Sequence, residues 1–225
     1  NSKSKEENVE KHYDSNGEPI VDYKLTNDGD AIAEGILDIL PDGYGFLRGD
    51  NFLSSDKDVY VSMVQIRRFK LDTGDIIKGI SRYREGEKFP SLIFVGEVNG
   101  EHPEKAMRRK RFDELTPIYP NQKLRLETTS NEYATRIIDL MCPIGKGQRG
   151  MIVAPPKVGK TTLLKKVANS ISLNNPEVEL IVLLIDERPE EVTDMKRSIK
   201  GQVIHSTFDE LPDHHVKVAE MVLER

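Results

Sequence analysis

The sequence predicts a two-part fold, in which a small closed β-barrel is followed by an α/β domain with a parallel sheet. Three observations support this prediction. Short strand-like segments separated by turn signals run from residue 33 to residue 98. From about residue 133, strand-like and helix-like segments alternate. A loop with the sequence APPKVGKT lies between the first strand and the first helix of that second part.

The composition is that of a globular protein with a polar excess, because 37% of the 225 residues are hydrophobic and 32% are charged. The longest aliphatic run, LIVLLI at 180–185, is too short to cross a bilayer, and no signal peptide opens the sequence. We therefore expect a cytoplasmic protein with no membrane partner. The single cysteine, Cys142, excludes an intrachain disulfide and is expected to be a small buried side chain in a reducing compartment.

The net charge of −5 argues weakly against nucleic-acid binding, but the charge is uneven. The segment KAMRRKR at 105–111 has five basic residues in seven, so the global charge does not decide the matter. The sequence starts at Asn1 and ends at Arg225 inside a helix-like segment, from which we expect a fragment of a longer protein.

Four regions are predicted along the chain. The first is polar and poor in aliphatic residues, so it cannot bury enough apolar surface to offset the entropy of ordering. A connector rich in proline and basic residues separates the two folded regions. The regions are a flexible polar tail at 1–30, a β-barrel at 31–105, a linker at 106–128 and an α/β region at 129–225.

The barrel prediction is based on five short strands within about 65 residues. The strand segments are, in order, EGILDIL, YGFLR, DVYVS, GDIIKGISRY and FPSLIFVGEV, with a short helical segment MVQIRRF after the third.

One face of this barrel carries aromatic and charged residues together. Alternation in GYGFLR places Tyr44, Phe46 and Arg48 on one face, and we expect that face to be exposed because an arginine fits poorly inside a small barrel. Asp58 and Tyr60 share a face of the next strand, and a carboxylate there can accept a hydrogen bond from the amino group of cytosine.

Exposed rings that flank an arginine are typical of a platform on which the bases of single-stranded nucleic acid stack. Glu87 and Phe89 could close the platform from the last hairpin. The alternative is that Tyr44, Phe46 or Phe89 are ordinary core residues.

The second part reads as alternating strands and helices. RGMIVAPP is predicted as a strand, KTTLLKKVANSISL as a helix and VELIVLLIDE as a parallel strand that is buried on both faces. PEEVTDMKRSIKG is predicted as a helix, QVIHSTFD as a strand and DHHVKVAEMVLER as the start of a further helix.

The loop before the first of these helices resembles a phosphate-binding loop, although Ala154 stands where the general pattern has its first glycine. Gly159 permits a tight turn of the backbone beside a phosphate, and Lys160 supplies a positive charge to the β and γ phosphates. Thr161 offers a hydroxyl to Mg²⁺, and Lys157 adds a second cation. The alternative is a basic helix start without a ligand.

The segment LLIDERPEE ends a predicted neighbouring strand and places carboxylates at its carboxyl end. We assign Glu187 the role of orienting or deprotonating the water that attacks the γ-phosphate. The alternative is that Asp186 or Glu187 caps the following helix.

The five histidines show no spacing typical of metal ligands, and with one cysteine no zinc site is expected. We interpret His214 and His215 as solvated or capping groups.

Several long segments resemble the bacterial transcription termination factor Rho family, from about residue 31 to the end of the chain. The segments that carry the resemblance are GILDILPDGYGFLR, DVYVSMVQIRRFKLDTGD, PIGKGQRGMIVAPPKVGKTTLL and LLIDERPEEVTDMKRSIKGQVIHSTFDE. Ala154 is what this family has at that position. The resemblance implies an OB-fold or cold-shock-like β-barrel followed by a RecA-like P-loop domain, here truncated. It also implies a hexameric, RNA-dependent ATPase that uses ATP and Mg²⁺ and dissociates RNA polymerase.

By this resemblance, specific residues take the family's roles. Asp186 and Arg188 flank the catalytic Glu187 where the antibiotic bicyclomycin binds, together with Lys160. Phe89 departs from the family's usual tyrosine, so stacking is expected to persist without a phenolic hydrogen bond. The implied sites for pyrimidine-rich RNA are Tyr44, Phe46, Arg48, Asp58, Tyr60, Glu87 and Phe89, and those for nucleotide are Lys157, Val158, Gly159, Lys160, Thr161, Thr162 and Arg188.

Two functions stay open at this point. The first is an ATP-driven RNA translocase that terminates transcription. The second is a passive single-stranded RNA-binding module with a non-hydrolysing nucleotide loop, which is the expected behaviour of this fragment in isolation. A DNA recombinase or a rotary ATP synthase subunit shares the phosphate loop but does not explain an aromatic barrel face before it.

Overall fold

A computed structural model describes residues 12–13, 19–20 and 29–225 of the chain. The predicted flexible tail at 1–30 lies almost entirely outside the described residues. Within it, strand β1 (His12–Tyr13) pairs antiparallel with β2 (Pro19–Ile20).

The first folded region is a closed five-stranded β-barrel, as predicted. Its strands are β3 (Asp30–Ile39), β4 (Gly45–Arg48), β5 (Val59–Val61), β6 (Ile76–Arg82) and β7 (Ser91–Val98). They lie in the order β3-β4-β5-β7-β6, and β6 pairs again with β3. The neighbouring strands are antiparallel, except that β5 and β7 pair parallel at Tyr60 and Ser91.

Alternation along the strands places one set of side chains inside the barrel. The core contains mostly aliphatic residues, as expected for a barrel of this size that is filled by side chains. Its buried members are Ala33, Leu37, Leu47, Val59, Val61, Ile66, Leu71, Ile77, Leu92, Val95, Val98 and Ala106.

Gly45 allows β4 to lie close against β3. A Cβ atom at this position would be 2.8 Å from the carbonyl oxygen of Asp38 and 2.9 Å from Cδ1 of Leu37. Any larger residue would therefore push the strands apart. The glycine lies between Tyr44 and Phe46, so the close approach also sets where these two rings stand.

Helix α1 (Met63–Phe69) is the predicted short helical segment. Its first turn is held by a capping box, in which the Ser62 hydroxyl accepts from the backbone N–H of Gln65 and the Gln65 side chain accepts from the backbone N–H of Ser62. The Gln65 amide also donates to the carbonyl of Leu92 at 2.8 Å, which ties the helix to β7. The short helix α2 (Pro103–Ala106) follows the barrel.

The second region combines helices with a short parallel sheet. Strand β8 (Lys123–Leu124) pairs with β9 (Ile144–Gly145), and helix α3 (Tyr133–Met141) lies between them in sequence. The remaining elements are α4 (Lys160–Asn174), β10 (Ile181–Glu187), α5 (Pro189–Ser198), β11 (Gln202–Thr207) and α6 (Pro212–Glu224). Strands β10 and β11 are parallel, with Ile181 opposite Gln202, so the predicted strand–helix alternation is confirmed from α4 onward.

Two predictions for this region are wrong. The segment RGMIVAPP is not a strand, and Met151 and Val153 are 87% and 85% exposed, because the described residues offer it no strand with which to pair. Strand β10 is half-buried rather than covered on both faces, and its Ile185 is exposed.

The prediction that Cys142 is a small buried side chain is also wrong. It lies exposed at the end of α3 instead of in a core, since the helix ends there and turns its last residues outward.

Contacts between Cα atoms divide the chain into two units, one comprising residues up to 110 together with 217–225 and the other residues 111–216. The domain boundaries predicted from the sequence remain a proposal. No helix in the described part of the chain has the length and hydropathy that a bilayer span requires.

Candidate functional site

Four aromatic rings form a contiguous cluster on the barrel, here called the aromatic cluster: Tyr44, Phe46, Tyr60 and Phe89. Phe46 is its centre, with ring centroids 5.9 Å from Tyr44, 5.9 Å from Tyr60 and 5.2 Å from Phe89. These pairs are edge-to-face, which is a favourable geometry for aromatic rings. All four residues are half-buried, so the rings are held by one another and still reach solvent.

The strand register explains how the cluster forms. Phe46 on β4 lies directly opposite Tyr60 on β5, and Tyr44 precedes β4 by one residue. Phe89 lies just before β7, which pairs with β5 at Tyr60. The alternative that these rings belong to the apolar core is therefore not supported.

Arg48 does not lie on an exposed face, and this expectation from the sequence is wrong. The residue is only 6% exposed, and its guanidinium is held by two carboxylates. Nε and Nη2 donate to Oδ2 of Asp38 at 2.9 and 2.7 Å, and Nη1 donates to Oδ2 of Asp58. The guanidinium carbon also lies 5.1 Å from the centroid of the Phe46 ring. An arginine can be buried here because it is paired on two sides.

Asp58 is buried as well, with 1% exposure, whereas the sequence analysis placed its carboxylate beside stacked bases. In addition to Arg48, Asp58 accepts hydrogen bonds from the backbone N–H of Ser55 at 3.1 Å and from the Ser55 hydroxyl at 3.0 Å. In this conformation the carboxylate supports Arg48 from below the rings. A base could reach it only if Ser55 gave way.

Three charged residues precede Phe89 on the β6–β7 hairpin, Arg84, Glu87 and Lys88, and Lys88 contacts a ring of the aromatic cluster. Glu87 accepts a hydrogen bond from the Ser91 hydroxyl at 3.0 Å and lies 3.8 Å from the guanidinium of Arg84. The ammonium of Lys88 lies 5.1 Å from the centroid of the Phe89 ring. The sequence analysis did not single out Arg84 and Lys88, although a basic residue next to a stacking ring is a recognisable signal.

The second candidate site is the loop before α4. Lys157 and Gly159 both have left-handed backbone conformations, with φ of 63° and 89°. Gly159 is the N-cap of the 15-residue helix α4 and provides no side-chain cap, so the N–H groups of the first turn point outward without an acceptor from the cap.

This geometry fits a phosphate group. Nothing lies within 4 Å of where a Cβ of Gly159 would be, so the space in front of the helix start is open. Lys160 and Thr162 are exposed and Thr161 is half-buried at the same helix start. Exposed amides, a helix dipole and a lysine together make an anion-binding site.

Two glutamates lie beside this loop. The Thr161 hydroxyl donates to Oε2 of Glu191 at 3.5 Å, and Glu191 also shares a hydrogen bond with Glu187. Burial raises the pKa of the Glu187 carboxyl above its ordinary value, and Glu191 raises it further through charge repulsion and the shared hydrogen bond. Lys160 opposes this rise in pKa, whereas Asp186 adds to it.

Glu191 was missed by the sequence analysis, in which it was only one of several acids at a helix start. It is four residues after Glu187, but a bend intervenes: β10 ends at Glu187 and α5 starts at Pro189. After this bend, the Glu191 side chain lies next to Thr161, at the end of the loop before α4.

Asp186 and Arg188 flank Glu187 and are both exposed. Asp186 has a left-handed backbone, with φ of 57°, where the pairing of β10 with β11 shifts register. Arg188 is the N-cap of α5 and makes no side-chain capping bond, so the alternative that Asp186 or Glu187 caps this helix is wrong.

His215 is not simply solvated, contrary to the sequence analysis. It is half-buried, and its Nδ1 lies 2.5 Å from the hydroxyl of the buried Ser206 at the end of β11. His214 is exposed beside Glu210. Within the described residues, no group of histidine, cysteine, aspartate and glutamate side chains could hold a metal ion by itself.

A barrel with a half-buried cluster of edge-to-face aromatic rings, followed in the chain by a region with a phosphate loop, defines the chain as an RNA-binding and nucleotide-binding protein. Comparisons with known protein families agree. Residues 33–104 match the Rho termination factor RNA-binding domain, and residues 134–218 match the nucleotide-binding domain of the ATP synthase alpha/beta family.

Curated relatives identify the family. The chain is 57% identical to transcription termination factor Rho of Bacillus subtilis over 194 residues, which are 85% of this chain and 45% of the relative. It is 55% identical to that of Borreliella burgdorferi over 209 residues, 92% of this chain and 41% of the relative. It is 51% identical to transcription termination factor Rho of Pseudomonas aeruginosa over 209 residues, which are 90% of this chain and 50% of the relative. The chain belongs to the transcription termination factor Rho family and spans about half the length of these relatives.

Proposed function

We propose that this chain is the RNA-binding and nucleotide-binding part of an ATP-driven, RNA-stimulated translocase that terminates transcription. The observation that carries the proposal is the aromatic cluster on the barrel, followed in the same chain by an open phosphate loop with two glutamates beside it. The names of the relatives support the same function.

The barrel is proposed to bind pyrimidine-rich single-stranded RNA. Tyr44, Phe46, Tyr60 and Phe89 supply rings on which bases stack, and the pyrimidine preference is the one that the resemblance to the family implies. Arg48 and Asp58 lie beneath the rings and offer a donor and an acceptor to a base edge once Ser55 moves. Glu87 is proposed to contribute to the same site, beside Lys88, whose ammonium lies 5.1 Å from the centroid of the Phe89 ring, and Arg84, which pairs with Glu87.

The loop before α4 is proposed to bind ATP. The backbone N–H groups of Val158 to Thr162 would donate to the phosphates, and Lys157 and Lys160 would contribute positive charge. The Thr161 hydroxyl would hold Mg²⁺ together with the nucleotide, and the ion would supply positive charge that neutralises the phosphates. Arg188 is exposed, follows Glu187 directly in the chain and is proposed to contact the nucleotide.

Glu187 is proposed to accept a proton from the attacking water. Its raised pKa makes the carboxylate a stronger base near neutral pH than an ordinary glutamate, which suits this task. Glu191 holds both the Thr161 hydroxyl and the Glu187 carboxyl, so it is proposed to orient them.

In the complete protein, the proposal includes a homo-hexamer, RNA polymerase as the complex that is dissociated, and a cytoplasmic location. Lys160, Asp186 and Arg188 are proposed as the residues that bicyclomycin contacts, as the resemblance to the family implies; Lys160 begins α4, and Asp186 and Arg188 flank Glu187 in the chain.

The test measures RNA and nucleotide binding separately. Fluorescence anisotropy of the 225-residue chain with labelled oligocytidine is expected to show binding that the double variant Tyr44→Ala/Phe46→Ala loses and that the control Tyr83→Ala, outside the aromatic cluster, retains. Calorimetry with a non-hydrolysable ATP analogue is expected to show binding that Lys160→Ala abolishes and the control Lys200→Ala keeps. Unchanged oligocytidine binding in Tyr44→Ala/Phe46→Ala, or unchanged nucleotide binding in Lys160→Ala, would contradict the proposal.

A passive RNA-binding module is the second candidate for the chain by itself. Behind the loop, β10 and β11 are the only paired strands in the described residues of this sheet, and the segment at 151–153 is exposed. A phosphate-release assay distinguishes the two candidates. Turnover that rises when RNA is added favours the motor, whereas nucleotide binding with background turnover favours the passive module.

A further inference from the structure

Asp38 is a buried carboxylate to which neither the family match nor the sequence motifs assign a role. It lies on β3, opposite Phe46 in the pairing with β4, and it is 7% exposed. We propose that Asp38 is a positioning residue of the RNA site, which fixes the guanidinium of Arg48 beneath the aromatic cluster and thereby sets the preference for cytidine over uridine. The inference rests on the proposed RNA-binding function.

The first step of the argument is the geometry of the pair. Nε and Nη2 of Arg48 both donate to one oxygen of Asp38, at 2.9 and 2.7 Å. Two bonds from one edge of a planar guanidinium define its orientation, which a single bond would not. With that edge held, the opposite nitrogen, Nη1, faces Asp58.

The second step is what this orientation supports. Asp58 is held in turn by the backbone and hydroxyl of Ser55. The Arg48 guanidinium also lies 5.1 Å from the centre of the Phe46 ring, and Phe46 contacts the other three rings of the aromatic cluster. Asp38 is thus connected through Arg48 both to Asp58 and to the rings of the aromatic cluster.

The third step concerns base choice. Cytosine and uracil differ in an amino group against a carbonyl at one ring position, so discrimination requires a donor and an acceptor at fixed places. A guanidinium that is free to rotate would satisfy either base. An arginine fixed by Asp38 presents its donors in one arrangement only. We therefore expect Asp38 to affect the ratio of the cytidine and uridine affinities as well as the affinities themselves.

A second buried carboxylate in the barrel provides a matched control. Asp75 is 5% exposed and is held by Arg109, with Nη2 at 2.6 Å from its Oδ2. It also accepts from the side chain of Asn99 at 2.8 Å. Asp75→Asn removes a buried charge of the same kind, but its partners lie outside the aromatic cluster. The change in RNA affinity caused by Asp75→Asn therefore measures what the loss of a buried carboxylate costs the barrel, without any effect on Arg48.

The experiment measures affinities of the 225-residue chain for oligocytidine and oligouridine by fluorescence anisotropy. Asp38→Asn is expected to weaken oligocytidine binding about tenfold or more, the equivalent of one charged hydrogen bond, and to lower the cytidine-to-uridine ratio. Asp75→Asn is expected to leave both affinities unchanged. In an Arg48→Lys background, Asp38→Asn is expected to have no further effect, because lysine lacks the forked guanidinium group that Asp38 orients.

The Nζ of Lys217 lies 3.4 Å from the same oxygen of Asp38, so Lys217→Met is a second control. It is expected to leave the cytidine-to-uridine ratio unchanged. If Lys217→Met reproduced the effect of Asp38→Asn, the action of Asp38 would not pass through Arg48 and the inference would be overturned.

The remaining outcomes are also decisive. Folded Asp38→Asn protein with an unchanged ratio would overturn the inference, as would equal losses in Asp38→Asn and Asp75→Asn. Should Asp38→Asn fail to fold, Asp38→Glu takes its place, because the added methylene displaces the carboxylate without removing its charge. A lowered ratio in Asp38→Glu supports the inference and an unchanged ratio overturns it. If the unmodified chain did not bind oligocytidine, the proposed function itself would fail.

Discussion

Replacing Arg48 by methionine tests the buried ion pairs beneath the aromatic cluster. Methionine keeps much of the length and apolar volume of arginine but removes the guanidinium. Asp58, with 1% exposure, would keep its hydrogen bonds from Ser55 and lose its positive partner. Asp38 would lose two hydrogen bonds from Arg48 and keep the ammonium of Lys217 at 3.4 Å.

The expected loss follows from these contacts. Removing one partner of a buried ion pair typically costs about 3–5 kcal/mol, because the remaining charge is left without compensation in a medium that solvates it poorly. The contact with the Phe46 ring is lost at the same time, and a desolvated cation–π pair contributes about 2 kcal/mol or more, so the loss is expected towards the upper end of this range. We therefore expect Arg48→Met to lower the free energy of unfolding of the barrel by about 3–5 kcal/mol.

The assay is hydrogen–deuterium exchange of barrel peptides, which reports the unfolding free energy of that unit separately from the rest of the chain. Lys105→Met is the control. The Lys105 ammonium also forms an ion pair, 2.8 Å from Oε1 of Glu101, but both side chains are exposed, so water can replace the contact and a much smaller loss is expected. Equal protection in the two variants would refute the view that burial makes the Arg48 contacts decisive.

Three further predictions concern the two candidate sites. Phe46→Ala is expected to weaken oligocytidine binding by about 1–3 kcal/mol in anisotropy titrations, because one stacking surface is lost; unchanged affinity would return the ring to a core role. Glu191→Gln, compared with the exposed Glu190→Gln, is expected to reduce RNA-stimulated turnover of the complete protein while nucleotide affinity is retained, and equal rates in the two variants would argue against an orienting role. Because burial and Glu191 raise the folded-state pKa of Glu187, its charged form costs stability at neutral pH, and the cost fades as pH falls through that pKa. Glu187→Gln is therefore expected to raise the urea midpoint at neutral pH but not in acid, and a midpoint equal to that of the unmodified chain at both pH values would contradict this assignment.

The barrel illustrates what local sequence can determine. Its five strands follow from alternation of apolar and polar residues, and α1 follows from Ser62 and Gln65, because a strand face and a capping box depend on residues two or three positions apart. The phosphate loop was also recognisable, since its glycine, lysine and threonine act within one turn of backbone.

Other features depend on residues that are distant in the chain. Arg48 is buried because Asp38 and Asp58 approach it from two neighbouring segments, each ten residues away. Glu191 reaches Thr161 across 30 residues, and no period in the sequence relates them. The segment RGMIVAPP has the composition of a strand but no strand beside it in the described residues.

The sequence by itself therefore determined the class of each region, the rings of the aromatic cluster and the nucleotide loop, because these depend on local spacing and residue type. Only the tertiary structure decided which charged groups are buried together and which carboxylates meet at the loop. The physical reason is that the energy of a charge depends on what surrounds it in space. For Arg48, two carboxylates from other segments turn an unfavourable burial into a fixed support for the aromatic cluster.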